Sequence, residues 1–132
     1  MIANDNLMIY QGNSLGWTFN VTGPDGSPKD WTGYTAKMQV RLNADSPTKI
    51  VDLTTENGGI NLQAAGLLNL IMTPEQTLAL DFTGAKAGSL AVNGTTYTGL
   101  IAEYDIQVIN VGADTAVTLE RGQVVFMKGI TK

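Results

Sequence analysis

Apolar and polar residues alternate in short segments along most of the chain, and turn-forming residues separate these segments. In the segment LGWTFNV, residues 15–21, every second side chain is apolar. In YTAKMQVRL, residues 34–42, apolar side chains alternate with Lys37, Gln39 and Arg41. A period of two residues places the apolar side chains on one face of a strand. The pattern predicts strands with one buried and one solvated face, as in antiparallel sheets.

Other segments have the same character. The further predicted strands are 7–10, 49–54, 59–63, 67–72, 101–111, 116–120 and 123–128. Gly23-Pro24-Asp25-Gly26 and Asp30-Trp31-Thr32-Gly33 predict tight turns. The strands at 49–54, 59–63 and 67–72 are joined by links short enough for hairpins, which predicts a meander. The strand at 101–111 is expected at the centre of its sheet.

One helical turn and one hairpin complete the predicted elements. Thr73 is a capping residue, Pro74 suits the first helical position, and Glu75 adds an early acid, so a single short helix is predicted near 73–80. The stretch 81–99 is rich in glycine and small polar residues. Its Asn93-Gly94 pair predicts an exposed hairpin, 84–99, that projects from the domain.

These elements predict one all-β domain spanning residues 1–132. The expected fold is an immunoglobulin-like sandwich of two antiparallel sheets, with residues 1–6 and 129–132 as extended arms. The chain has 132 residues, which suits a single hydrophobic core. Charged residues make up 15% of the chain, below the roughly 25% of typical soluble domains.

Composition excludes several function classes. The net charge is −4 and the chain has only two arginines, Arg41 and Arg121, which argues against nucleic acid as a partner. It contains no histidine and no cysteine, so no zinc site of these ligands, thiol nucleophile or Ser-His pair can form. No apolar run approaches the ~20 residues that cross a bilayer, and the start lacks a signal peptide pattern, so a soluble, unprocessed chain without a membrane partner is expected.

Two carboxylate pairs and one oxygen-rich cluster are the candidates for chemistry in this sequence. Glu103 with Asp105, and Asp52 with Glu56, have the residue types of general acid and base catalysts, yet the first pair and Asp52 occupy the solvated phase of strands. Asn4-Asp5-Asn6 with the Asp25-Gly26 turn supplies oxygens for calcium but lacks EF-hand spacing. No catalytic residue, cofactor or metal site is predicted, and the protein is not expected to be an enzyme.

Exposed aromatic side chains would favour carbohydrate binding. The aromatic residues considered are Trp17, Trp31, Tyr34 and Tyr97. Trp17 and Tyr34 share strand faces with other apolar residues and are expected to anchor the core. Tyr97, on the predicted hairpin, is the expected exposed ring, and the position of Trp31 stays open.

Several short stretches, taken in order, resemble a recurrent bacteriophage structural domain. They are IYQGNSLGWTFNV, PDGSPKDWTGYTAKMQVR, LTTENGGINL, TPEQT, YDIQV and the terminal GITK. The chain is similar, over about residues 9 to 131, to the N-terminal β-sandwich domain of phage upper-baseplate proteins and to small phage virion proteins. Asn13 stands where that family often has an acid, Trp31 replaces an aliphatic residue, and 81–99 is an insertion.

The resemblance implies a structural role in a phage virion, assembled in the host cytoplasm. We expect a non-enzymatic tail or baseplate subunit that contacts other virion proteins and further copies of itself, with 30–41 and 104–108 as scaffold. The terminal arms and the 84–99 hairpin are expected to supply the contacts. A capsid decoration protein of the phage head and a receptor- or carbohydrate-binding module are the alternatives, the latter with a glycan as partner.

Overall fold

The computed structural model of the chain describes residues 3–4 and 6–129. These residues form ten strands, one short α-helix and one 3-10 turn. The strands are β1 (Ala3–Asn4), β2 (Leu7–Tyr10), β3 (Leu15–Asn20), β4 (Tyr34–Arg41), β5 (Val51–Thr54), β6 (Ile60–Gln63), β7 (Leu67–Met72), β8 (Lys86–Val92), β9 (Thr95–Asn110) and β10 (Thr115–Met127). Helix α1 spans Pro74–Leu78 and the 3-10 turn spans Ala64–Gly66.

Seven strands form the larger sheet. Its order is β1-β10-β9-β4-β5, with β2 also paired to β10 and β8 also paired to β9. The 16-residue β9 lies at its centre and pairs with β10 along one side and with β8 and then β4 along the other. The prediction that the strand at 101–111 lies at the centre of its sheet is therefore confirmed. The expected scaffold segments 30–41 and 104–108 contribute to the neighbouring strands β4 and β9.

The larger sheet is mixed rather than purely antiparallel. Both β1 and β2 run parallel to β10. A parallel pair cannot be joined by a hairpin and needs a long connection, which most of the chain provides here. The period-two pattern that predicts a strand carries no information on strand direction, so the sequence did not indicate this arrangement.

The smaller sheet packs across the larger one. Its order is β3-β7-β6, with both pairs antiparallel. The alternating side chains of β3 and β4 point into the space between the sheets, as their patterns predict. Fully buried side chains of this core include Leu7, Ile9, Met38, Val40, Leu68, Leu70, Ile106, Val124 and Phe126. The predicted all-β sandwich with one short helix near 73–80 is confirmed.

The predicted meander of 49–54, 59–63 and 67–72 is wrong in its first half. Strand β5 pairs with β4 in the larger sheet, whereas β6 pairs with β7 in the smaller one. The side chain of Asn57 fixes this crossing, because its Oδ1 accepts from the N–H of Thr54 and of Gly59 and its Nδ2 donates to the carbonyl of Asp52. A link short enough for a hairpin is also short enough to change sheets.

The hairpin predicted at 84–99 is present as β8 and β9, but it does not project freely. Its tip residues Asn93 and Gly94 have φ of 50° and 82°, as a tight two-residue turn requires. Leu90 and Val92 are buried against Val125. Val125 lies between two β10 residues of the main core, so the hairpin covers the opposite face of the sheet.

The described part of the N-terminal segment is joined to the chain's own sheet. Strand β1 pairs with β10, and Asn6 donates to the carbonyl of Ala91 and accepts from the N–H of Gln123. Among predicted arm residues, 1, 2, 5 and 130–132 lie outside the described residues. Within the part of the chain that the structure describes, no helix has the length and apolar character to span a membrane.

Candidate interaction surfaces

The smaller sheet carries no charged residue in any of its three strands. All charged residues that lie in strands with described side chains belong to the larger sheet. They are Lys37, Arg41, Asp52, Lys86, Glu103, Asp105, Glu120 and Arg121. Because the whole chain is acidic, the smaller sheet is a neutral surface on a negatively charged protein.

A ladder of polar side chains crosses the outer face of the smaller sheet. The Oγ1 of Thr18 on β3 donates to the Oδ1 of Asn69 on β7 at 2.6 Å. The Nδ2 of Asn69 in turn donates to the Oε1 of Gln63 on β6 at 2.9 Å. Ile71 lies on the same face of β7 and is 42% exposed. This face combines ordered amide groups with one apolar side chain.

Both outer strands of the smaller sheet have a free edge. The N–H of Ile71 donates to the carbonyl of Gly59, and the N–H of Val21 donates to the carbonyl of Gly66. Together with the observed registers, these two bonds determine which residues of β3 and β6 direct their backbone N–H and C=O groups toward β7. The backbone groups of Gly16, Thr18 and Asn20 on β3, and of Ile60 and Leu62 on β6, point away from β7. Among the described residues, none donates to or accepts from them.

These free edges lack the usual protection against pairing. Natural edge strands are commonly guarded by a charge or a proline, and neither β3 nor β6 contains one. The edge strand β5 of the larger sheet differs, since it carries Asp52, whose Oδ2 lies 3.4 Å from the Nζ of Lys49. On the other side of the larger sheet, β1 and β2 cover part of the edge of β10.

An open groove accompanies each free edge. The groove along β3 has a volume of about 510 Å³ and is bounded on its far side by Asn93 and Glu120. The groove along β6 has a volume of about 730 Å³ and is bounded by the loop from Pro28 to Thr32. Each groove leaves its edge strand accessible to a further extended segment.

An aromatic cluster lies beside the groove of β6. The rings of Trp31 and Tyr34 meet edge to face, with centroids 5.6 Å apart. The Nζ of Lys29 donates to the hydroxyl of Tyr34 at 3.0 Å, and this contact lowers the pKa of the phenol. Trp31, whose position the sequence left open, is 8% exposed, and its indole N–H meets no acceptor among the described residues.

The other predicted aromatic positions are only partly as expected. Trp17 and Tyr34 do pack against the core, but each is half-buried rather than fully enclosed. Tyr97, the expected exposed ring, is half-buried against the cluster of Leu90 and Val92 because the hairpin folds onto the sheet. Among the described aromatic residues, the most exposed is Tyr10 at 39%, which sequence analysis did not single out.

The carboxylate pairs lie at the surface, as their strand phase predicts. Glu103 and Asp105 are exposed on β9, and they line one shallow depression with Arg41 and Arg121. Asp52 is exposed beside Lys49. Glu56 is exposed and accepts from the hydroxyl of Thr55.

The described residues do not assemble the oxygen-rich cluster that was set aside as a calcium site in the sequence. The side chain of Asn6 is bound to two backbone groups, and Asp25 accepts from the N–H of Ser27 within its own turn. Asp5 lies outside the described residues. The described part of the chain contains no group of three or more carboxylate, histidine or cysteine side chains that could hold a metal ion.

No model of a known protein family matches the chain, and no curated protein sequence matches it significantly. A function must therefore be inferred from the chain's own surfaces and from the motifs quoted above.

Proposed function

We propose that the protein is a non-enzymatic structural subunit of a phage virion, in the tail or baseplate, and that it acts through protein–protein contacts. The observation that carries this proposal is the smaller sheet, which has a neutral outer face and two free, unguarded edges. The resemblance of the quoted motifs to a phage baseplate domain supplies the assignment to a virion.

A neutral sheet with free edges is suited to contact with other subunits. Unpaired N–H and C=O groups along an edge strand bind a further strand with good geometry. The cores of protein interfaces are depleted in charged residues, because charges are costly to remove from water. Both conditions hold for β3 and β6. The edge strand β5 fails the second condition because it carries Asp52, and the side chain of Asn57 already binds its Thr54 N–H and its Asp52 carbonyl.

The surroundings of the candidate catalytic carboxylates support a non-enzymatic role. Glu103 and Asp105 are exposed on one strand and share their depression with both arginines of the chain. A general acid or base is usually tuned by burial or by a like charge nearby. The arrangement of these four side chains matches an ordinary solvated strand surface.

The proposal can be tested by locating the protein on particles. Particles would be purified from cells that express the chain from its native locus, then labelled with antibodies against the folded protein and imaged by electron microscopy. Label at the tail or baseplate is the expected result. Label over the head would replace the proposal with a capsid decoration role, and absence of label from particles that pass a control with an antibody to a major virion protein would overturn it.

A further inference from the structure

We propose that two copies of the chain associate through the free edges of β3, antiparallel about a two-fold axis that passes beside Thr18. The two three-stranded sheets then form one continuous sheet of six strands. This inference rests on the proposed function, because it names the partner of one of the same free edges. It goes beyond the proposed function because it names β3 as the pairing strand, Thr18 as the centre of the register and a second copy of the chain as the partner.

The backbone of β3 is suited to pairing with itself. Gly16, Thr18 and Asn20 direct their N–H and C=O groups outward, at every second residue. An antiparallel partner strand of the same sequence, centred on Thr18, places Gly16 opposite Asn20 of the second copy. All three residues then exchange hydrogen bonds across the interface, as in an ordinary antiparallel ladder. A two-fold contact of this kind is closed and self-complementary.

Charge favours a second copy as the occupant. Each copy has a net charge of −4, so two copies repel wherever their acidic surfaces meet. The smaller sheet is where this repulsion is least, since β3, β6 and β7 carry no charge. A strongly basic partner would gain nothing from this neutral surface and would be attracted to the carboxylates of the larger sheet instead.

The surroundings of β3 leave room for the partner strand. On the sheet face, a Cβ added at Gly16 would meet no atom within 4 Å, so the side chain of Asn20 of the second copy has open space opposite Gly16. The groove of about 510 Å³ separates the strand from Asn93 and from Glu120, and Glu120 is the one charged side chain among the described residues that line it. The side chain of Glu120 is already buried, at 8% exposure.

The edge of β6 is less suited to this pairing. It directs the backbone groups of only Ile60 and Leu62 outward, and β6 has four residues where β3 has six. Its groove is also lined by Lys29 and Asp30. Two copies meeting there would have to remove these charged groups from water, which is costly.

The absence of cysteine from the chain makes the register directly testable. In the proposed dimer, the Cα atoms of the two Thr18 residues lie about 5.5 Å apart, which is within the disulfide range. The variant Thr18→Cys is therefore expected to form a covalent dimer under mild oxidation. In the control Gly16→Cys, the two cysteines lie roughly 13 Å apart, because four residues separate them along the strands. Gly16→Cys and a second control on the other edge, Asn61→Cys, are expected to remain uncrosslinked.

A solution measurement complements the crosslink. Light scattering on the unmodified purified chain should give a mass near twice 14.0 kDa at high concentration. Thr18→Lys should return the mass to that of one chain, because two lysines would face each other across the axis. The matched control Asn61→Lys, on the same face but at the opposite edge, should leave the dimer intact. Circular dichroism of each variant shows whether the fold is retained.

The possible results separate the dimer from the proposed function. Equal crosslinking of Thr18→Cys and Gly16→Cys, crosslinking of Asn61→Cys instead, or a single-chain mass at every concentration would overturn the dimer. Label on particles without a β3 dimer leaves the proposed function in place and removes this inference. A β3 dimer without label on particles supports this inference and overturns the proposed function. The two results are independent because the crosslink uses the purified chain alone.

Discussion

The ring of Phe82 lies parallel to the ring of Phe126, with centroids 4.2 Å apart and an interplanar angle of 5°. Phe126 is on β10, whereas Phe82 belongs to the loop between α1 and β8, and both side chains are buried in the main core. Within the loop, Asp81 accepts hydrogen bonds from the N–H and the hydroxyl of Thr83. The stretch 81–99, which the sequence marks as an exposed insertion, is therefore anchored in the core at its start.

Removal of the Phe82 ring should be strongly destabilising. Phe82→Ala deletes a buried aromatic side chain and leaves a cavity beside Phe126, so the free energy of unfolding should fall by about 3–5 kcal/mol. Urea unfolding followed by tryptophan fluorescence measures this change. Val111→Ala is the control, since Val111 is 62% exposed and its truncation should change stability by less than about 0.5 kcal/mol. A loss below about 1 kcal/mol for Phe82→Ala would contradict the anchoring role.

The burial of Phe82 shows where sequence analysis reaches its limit. Strands β3 and β4 could be predicted because each repeats its apolar side chain several times at a spacing of two residues. Phe82 is a single aromatic residue in a polar, glycine-rich stretch, so no period marks it as part of the core. Its role depends on β10, which lies more than 30 residues further along the chain.

Trp31 should tolerate phenylalanine better than alanine. Its indole N–H is buried without an acceptor in the part of the chain that the structure describes, and such a group costs about 1–3 kcal/mol. Trp31→Phe removes this group and keeps an aromatic ring against Tyr34, so the expected loss of stability is below about 1.5 kcal/mol. Trp31→Ala should cost about 3–5 kcal/mol. Equal losses in the two variants, measured by urea unfolding, would show that the indole N–H is engaged in the folded protein.

Thr77 should be required to hold the loop after β2. The residue is fully buried, and its hydroxyl donates to the carbonyl of Asn13 at 2.7 Å and accepts from the N–H of Gly12 at 3.0 Å. Two stretches that carry the phage resemblance, QGN and TPEQT, therefore meet at this hydroxyl. Thr77→Val removes both hydrogen bonds, which are part-buried, and should cost about 0.5–1.5 kcal/mol for each bond.

Hydrogen exchange separates the lost bonds from a general loss of packing. In Thr77→Val the amide of Gly12 should exchange much faster than in the unmodified chain, because its acceptor is gone. Thr77→Ser keeps the hydroxyl and should preserve the protection of Gly12. Equal protection in the two variants would contradict the role given to this hydroxyl.

The candidate interaction surface could be predicted only in part. The neutrality of residues 15–20, 60–63 and 67–72 is visible in the sequence, and so is the solvated phase of Thr18 and Asn69. The free edges are not visible, because an edge is defined by which strand lies next to which. The turn at Asn57 places β6 in the smaller sheet and so determines which strands lie at its edges. A single asparagine in a turn does not predict in which sheet the next strand lies.

The phenol of Tyr34 should ionise at lower pH than a free tyrosine. The ammonium group of Lys29 donates to the hydroxyl and lowers the pKa from the ordinary value of 10.0. Lys29→Met removes this donor and its charge, so the pKa of Tyr34 should rise. The difference in ultraviolet absorbance between each protein and its Tyr34→Phe counterpart, recorded across alkaline pH, isolates this one phenol. An unchanged titration after Lys29→Met would contradict the contact.

The turn aspartates should make the fold sensitive to acid. The N–H of Thr32, and then its hydroxyl, donate to Asp30 and hold the pKa of that carboxyl below its ordinary 3.8. Hydrogen bonds from Thr83 lower the pKa of Asp81, and a backbone bond from Ser27 lowers that of Asp25. As the pH falls, the unfolded chain takes up protons at these three carboxyls before the folded protein does. The stability that the ionised carboxyls contribute is therefore fully present above about pH 4–5, and it is lost as the pH falls through their lowered pKa values in the folded state.

Asp30→Asn isolates one of these turns. The amide oxygen of asparagine still accepts from the N–H of Thr32, but it does not titrate. The free energy of unfolding, measured in urea at pH 7, 5, 3 and 2, should therefore fall less steeply below about pH 4 in this variant than in the unmodified chain. Between pH 7 and 5 the two proteins should differ by a constant amount, since the carboxyl of Asp30 is ionised in both the folded and unfolded states there. Parallel curves down to pH 2 would show that protonation of Asp30 does not weaken the corner before β4.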